Sequence, residues 1–163
     1  MYPVSAFPMK DLLYLARVYR RTPLPHRLHV LIRRVTCPFD RLAGLVPDEG
    51  MHADIGCGHG VLLALRHRNN PSGTNTGFDI DPRKIAQALK AELPGTEFRC
   101  GSLEEIPQET IDSLSMVDVL YLLPDQGKET LLRACARVLK PGGRLVIKAL
   151  VTTPRWKYRF IEV

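Results

Sequence analysis

The chain has 163 residues, 45% of them hydrophobic and 25% charged, with a formal net charge of +6. That size suits one domain whose core needs neither disulfides nor a metal to fold. No apolar run approaches the roughly 20 residues of a membrane span, and the cysteines Cys37, Cys57, Cys100 and Cys135 are too far apart for a zinc pattern.

The charge is uneven. Residues 1–50 hold eight Lys/Arg against four Asp/Glu, residues 51–150 hold twelve of each, and residues 151–163 hold three against one. A neutral centre with basic ends predicts a chemical core with basic accessory segments. The N-terminal MYPVSAFPMKDLL shows no basic stretch followed by an apolar one, so no secretory signal is read there. With unpaired thiols, the expectation is a cytoplasmic chain.

Taken in order, KDLLYLARVYRR (Lys10 to Arg21) and PHRLHVLIRRV (Pro25 to Val35) read as amphipathic helices, broken by TPLP. Residues 1–50 form a helical cap segment and residues 51–163 a core. The core alternates strands and helices. MHADI (Met51 to Ile55) is a strand, VLLALRHR (Val61 to Arg68) a helix, and NTGFDI (Asn75 to Ile80) a second strand. PRKIAQALKAEL (Pro82 to Leu93) is a helix, with Asp81 as its N-cap and Pro82 at its first position. TEFRC (Thr96 to Cys100) is a third strand, followed by loop and weak helix from Ser102 to about Ser113. MVDVLYLL (Met116 to Leu123) reads as a buried fourth strand. Asp125 to Leu139 is a helix, KPGG (Lys140 to Gly143) a turn, and RLVIKAL (Arg144 to Leu150) a fifth strand.

This alternation predicts an α/β fold: a doubly wound, Rossmann-like sheet of about five parallel strands in three α/β/α layers, with N-terminal helices added. Such sheets bind ligands beyond the C-terminal strand ends, where strand order reverses. There the chain reads HADIGCGHG (His52 to Gly60). Gly56, Gly58 and Gly60 let a ligand approach the backbone at a helix N-terminus. Asp79 ends the next strand, where a carboxylate can accept two ribose hydroxyls. The dinucleotide fingerprint GxGxxG does not fit, because the third glycine comes one position early. Asp54, just ahead of the loop, would repel a pyrophosphate but can hold an ammonium.

The stretch DIGCGHG resembles motif I, DxGxGxG, of the class I S-adenosylmethionine-dependent methyltransferases. GFDIDP (Gly77 to Pro82), CGSLEEIP, VDVLYLLP and RVLKPGGRLVIK (Arg137 to Lys148) are similar to later family motifs, in order, over Met51 to Leu150. The resemblance implies S-adenosylmethionine as cofactor. It implies that Asp54 meets the methionine amino group and that Gly56, Cys57, Gly58 and Gly60 wrap the methionine and ribose. Asp79 would hold the ribose hydroxyls, Ile80 would pack on adenine, and Ser102 and Leu103 would face the adenine edge. Ser102 stands where the family often has an aspartate. Leu120 and Tyr121 would lie beside the reactive methyl. Plainer readings stand beside these: Asp54 as a strand end, Asp79 as a turn residue, Cys57 as a small apolar filler, His59 as a solvated histidine, Tyr121 as packing. His52 has no role.

The implied activity is in-line methyl transfer to a small-molecule or amphiphilic, lipid-like acceptor. No metal-ligand cluster is read. The post-strand Tyr121-Leu122-Leu123-Pro124 lacks the signature of the family's amino-methylating branch. Tyr121 and Asp125 are the candidates for a general base. The N-terminal helices are expected to pack as a cap. A second reading has their arginines meet a membrane surface, and a third has them meet RNA phosphates. At the C-terminus, Arg155 to Val163 reads as the start of a further helix, with the core cut off after its fifth strand. That expectation leaves an open sheet edge, and with it a homodimer or a non-catalytic remnant as alternatives. A nicotinamide-dependent oxidoreductase is the remaining competitor.

Overall fold

The structure is a computed structural model that describes residues 9–150 and 158–162. Six helices and six strands are described: α1 (Met9–Val18), α2 (Leu24–Thr36), α3 (Phe39–Leu45), β1 (Met51–Ile55), α4 (Val61–Asn69), β2 (Thr74–Asp79), α5 (Pro82–Ala88), β3 (Thr96–Cys100), β4 (Ile111–Val117), α6 (Asp125–Val138), β5 (Leu139–Leu150) and β6 (Tyr158–Glu162). The strands form one sheet in the order β3-β2-β1-β4-β5-β6. β1 to β5 are parallel, and β6 runs antiparallel along β5. The order reverses between β1 and β4, and that switch point fixes where a ligand cleft can open.

Both faces of the sheet are covered. One apolar cluster joins Leu15, Val30, Leu42, Leu62, Val117 and Val146, so α1 to α4 share a face. The other joins Ala53, Ile55, Leu114, Met116, Cys135 and Val138, beneath α6. The N-terminal helices therefore pack into the core on that face of the sheet. Ion pairs fasten them as well. The buried Arg34 reaches the carboxylates of both Asp11 and Asp40 with its guanidinium, and Arg68 of α4 also pairs with Asp11. α3 is an element the sequence pattern did not signal.

Local chemistry sets the boundaries. The Asp81 carboxylate accepts the Arg83 N–H at 2.9 Å, and Pro82 takes the first helical turn of α5. The fourth strand is not the expected Met116–Leu123 but Ile111–Val117. At Asp118 the backbone turns left-handed, φ 61°. Its carboxylate is bound by Lys148 and by Arg33 of α2, and Leu120–Leu122 then coil into a 3-10 turn. Ser113 and Ser115 made the true strand read as loop. They are buried because polar partners stand opposite them on β1.

The expected turn Lys140–Gly143 lies within β5. Ile111 pairs with Leu139 and the ladder resumes at Ser113 with Arg144, so the glycine stretch is a bulge. The expected C-terminal helix is also corrected. Over 158–162 the chain is the strand β6, which pairs with Val146 to Leu150 and covers the edge of β5. Arg155 to Lys157 lie outside the described residues.

Candidate functional site

The C-terminal ends of β1, β2, β3 and β4 bring most of the sequence-derived residues to one end of the sheet. Asp54 is the last but one residue of β1 and is 3% exposed. Its carboxylate accepts the Ser115 hydroxyl at 2.5 Å. Burial pushes its pKa up to about 7, against the pull of that hydrogen bond, and the nearby Asp79 charge raises it further. The charges of Arg66 and Arg33 pull the other way, toward the ionised form.

The glycine loop starts as an extension of the sheet, because the Cys57 N–H donates to the Phe78 carbonyl at 2.9 Å. Gly58 has a left-handed φ of 58°, and a Cβ built there would meet no protein atom within 4 Å. The open side of the loop is therefore there, where a side chain would intrude on a ligand instead of on the protein. Gly56 differs: a Cβ there would strike Val119, the residue after Asp118. The Cys57 side chain is buried and burial holds its thiol far above the usual range, which suits a filler and not a nucleophile. Gly60 caps α4.

Asp79 braces this loop. One carboxylate oxygen accepts the Gly58 N–H and the other the Asp81 N–H, both at 2.9 Å. Lys84 stands 3.9 Å away. The next residue, Ile80, leaves 83% of its surface exposed, a flat apolar flank beside the carboxylate. Ser102 is exposed at the start of the 3-10 turn Leu103–Glu105, whereas the Leu103 side chain is fully buried. Leu120 is half-buried and Tyr121 is 47% exposed, both in the turn after β4 and not on the strand itself. Asp125 opens α6, exposed and paired with Lys128 at 2.7 Å. That lysine's hydrogen bond holds its carboxyl below the ordinary range, which makes it a poor proton acceptor.

Several residues at this end carried no clear sequence signal. α2 lies across the strand ends and turns His26, His29 and Arg33 toward them. The Nδ1 of His26 is 2.9 Å from the Nε2 of His59, and the His29 ring sits 4.9 Å from the His59 ring. His59 is thus 8% exposed and not solvated. Burial, then the neighbouring imidazoles, push its pKa down to about 4. The His29 pKa also lies below its usual value, through burial first and then Arg33 and Lys84. Tyr19 donates its hydroxyl to the His59 carbonyl at 2.6 Å, so the cap grips the loop twice. His26 and His29 share one face of α2, but nothing local in the sequence shows that His59 of the loop is their target. Among the described residues no group of three or more His, Cys, Asp or Glu is arranged to hold a metal ion.

A buried carboxylate, a bare turn, a braced carboxylate and an exposed apolar side chain thus stand at one end of the sheet. A ligand with a cation, a vicinal diol and a flat ring fits that set.

The comparisons with known proteins agree. A family model described as "Methyltransferase domain" matches residues 53–143. The ubiquinone biosynthesis O-methyltransferase of Paracidovorax citrulli is 35% identical over 108 residues, covering 61% of this chain and 44% of that protein. The protein of the same name in Xanthomonas campestris pv. campestris is 29% identical over 136 residues, 80% of this chain and 51% of its own. The chain spans about half the length of the curated relatives it matches. Among solved structures, an S-adenosylmethionine-dependent methyltransferase from Mesorhizobium loti matches with TM-score 0.58 and 25% identity, over 68% of this chain and 52% of that one. One from Aquifex aeolicus shares the fold with TM-score 0.63 and 19% identity, over 88% and 76%. The chain belongs to the methyltransferase domain family.

Proposed function

We propose that this chain is the S-adenosylmethionine-binding core of a methyltransferase that acts on a small, amphiphilic acceptor. The observation that carries this is the pairing of buried Asp54 with the Asp79-braced glycine loop. The fit is chemical. Asp54 is a desolvated carboxylate whose charged form is held back by burial, and an ammonium is the partner that would restore it. Asp79 has used one acceptor direction on each oxygen for backbone N–H groups, and a carboxylate has about four in all. Two remain for ribose hydroxyls. Ile80 offers its exposed flank to adenine.

When bound, S-adenosylmethionine supplies an electrophilic sulfonium methyl for in-line displacement. The residues of the chain bind, align and exclude water. Asp54 fixes the amino group, the loop backbone lets the methionine portion lie close, and α2 roofs the site through His26 and Arg33. Leu120 and Tyr121 line the acceptor side. Of the two sequence candidates for a base, the exposure and ion pair of Asp125 disfavour it, which leaves the Tyr121 phenol to be tested. Asp54 ahead of the loop speaks against a nicotinamide dinucleotide, whose pyrophosphate it would repel.

The acceptor reading draws on the named relatives, which are ubiquinone biosynthesis O-methyltransferases. It is supported by the outer face of α2. Leu24, Leu28, Ile32 and Val35 are each more than half exposed and spaced as one helical stripe. Lys10 and Arg17 of α1, and Arg20 in the turn after it, are exposed, as are Met9 and Leu13 of α1. A basic apolar surface of this kind suits an anionic lipid headgroup layer. Two experiments test these readings. S-adenosylhomocysteine should raise the melting temperature and NAD should not; the reverse would rescue the oxidoreductase. The chain should float with anionic vesicles, and Leu28→Glu with Ile32→Glu should abolish flotation without unfolding it. Absence of flotation by the parent chain removes the membrane contact.

A further inference from the structure

His52 and Asp54 stand two residues apart on β1, and Ser113 and Ser115 two apart on β4, so each pair shares a face of the sheet. The register sets His52 beside Ser113 and Asp54 beside Ser115. His52, Ser113 and Ser115 are 0% exposed. The contacts form a continuous row: Ser113 Oγ to His52 Nδ1 at 2.9 Å, His52 Nε2 to Ser115 Oγ at 3.1 Å, and Ser115 Oγ to Asp54 Oδ1 at 2.5 Å. The centre of a parallel sheet is where apolar side chains ordinarily stand, and four buried polar groups there are costly unless each is hydrogen-bonded. Here every one is, and the row ends on the carboxylate of the cleft.

The proton order follows from valence. Ser115 has one hydroxyl hydrogen. With Asp54 ionised, that hydrogen goes to Oδ1, so the contact with His52 requires an Nε2–H donor. Nδ1 is then bare and accepts from Ser113. With Asp54 protonated, the carboxyl donates to Ser115, Ser115 donates to Nε2, and the ring hydrogen moves to Nδ1, where Ser113 accepts it. The imidazole thus registers the charge of Asp54 through its tautomer while staying neutral. Burial, then Arg66, push its pKa down to about 3.

We propose that His52 is a positioning residue: through Ser115 it fixes the orientation and the ionised state of Asp54, the carboxylate that meets the cofactor's ammonium. The cofactor clause rests on the function proposed above; the proton order does not. His52 acts by donating to Ser115, which polarises the serine hydroxyl and strengthens its bond to the carboxylate. The other groups that bear on Asp54 are Asp79 of β2, Arg66 of α4, Arg33 of α2 and the thiols of Cys37 and Cys57. A change at His52 leaves all of them in place.

The test is an NMR titration of the full chain with labelled aspartate carboxyls and histidine ring nitrogens. The ring of His52 should carry its hydrogen on Nε2 at pH 8 and shift it to Nδ1 over the pH range in which Asp54 takes up its proton. His52→Leu should raise the Asp54 midpoint by about one pH unit. His52→Gln, which offers one amide donor and one acceptor, should keep it near the parent value. Should the leucine variant not fold, Ser115→Ala should raise the midpoint likewise and uncouple the His52 tautomer from Asp54. S-adenosylhomocysteine should lower the Asp54 midpoint in the parent chain, and its affinity at pH 7 should fall about tenfold or less with His52→Leu. One tautomer throughout the titration, or an unmoved Asp54 midpoint in both variants, overturns the proposal. A normal tautomer switch in a chain that ignores S-adenosylhomocysteine overturns the cofactor role of His52 and the proposed function, and leaves the proton order standing.

Discussion

Replacing Asp79 by asparagine changes one atom of its carboxylate and breaks two jobs at once. In the structure one oxygen receives the Gly58 N–H and the other the Asp81 N–H, each at 2.9 Å. Asparagine keeps one oxygen. Its amide nitrogen must then face a backbone N–H that needs an acceptor. One charge-assisted bond is lost and one buried donor is orphaned, a cost of about 2–3 kcal/mol. For a chain of this length that lowers the melting temperature by roughly 4–12 °C. Affinity falls as well, because the remaining acceptor directions no longer belong to a charged group. Losing about 1–3 kcal/mol from the ribose contacts weakens S-adenosylhomocysteine binding roughly 5- to 150-fold. Calorimetric titration and a thermal melt read the two effects separately. Asp81→Asn is the control. It removes a neighbouring charge but keeps the cap of α5, where the side-chain oxygen accepts the Arg83 N–H, and should leave affinity nearly intact. Parent-like affinity in Asp79→Asn would refute the role in the cleft, and a parent-like melting temperature would refute the bracing of the loop.

Other outcomes follow from single contacts. Tyr19→Phe removes the hydroxyl that binds the His59 carbonyl inside the core; denaturant titration should show a loss of about 1–2 kcal/mol with unchanged slope. The Asp54 pKa is raised from 3.8 to about 7, chiefly by burial, so between those values folding takes up a proton and this group's contribution to stability falls as pH rises. Asp54→Asn should therefore melt above the parent at pH 8, with the gap closing toward pH 5, while cofactor binding is lost; a gap that ignores pH would count against the buried charge. Native-state alkylation should label Cys100, which is exposed, and spare Cys37, Cys57 and Cys135, which are buried. Mass spectrometry of the peptides settles which thiols react.

Much of this fold could be read in the sequence because local chemistry and tertiary role coincide there. The strand-to-glycine transition at Ile55-Gly56, the Asp81-Pro82 helix start and the strand Thr96–Cys100 are each set by neighbours in the chain. The fourth strand is hidden in the sequence for the opposite reason. Ser113 and Ser115 are polar by composition and buried only because His52 and Asp54 face them across the sheet. The apolar Val119-Leu120-Tyr121-Leu122 run looked like strand, but Asp118 is held in a left-handed turn by Lys148 and Arg33, residues far away in sequence. His59 read as solvated because nothing near it in sequence says that α2 lies over the loop. In the cleft, Asp54, the glycines and Asp79 were legible as a motif. The cap residues His26 and Arg33 and the buried His52 row were not, since their partners are set by packing alone.

Asp54, the glycine loop and Asp79 form the proposed S-adenosylmethionine site. Isothermal titration of the folded chain with S-adenosylhomocysteine tests it most directly. One saturable site, weakened by Asp79→Asn and abolished by Asp54→Asn, is the predicted result. A chain that is folded by circular dichroism and cooperative in its melt, yet gives no binding heat and no thermal shift with S-adenosylhomocysteine, would contradict it.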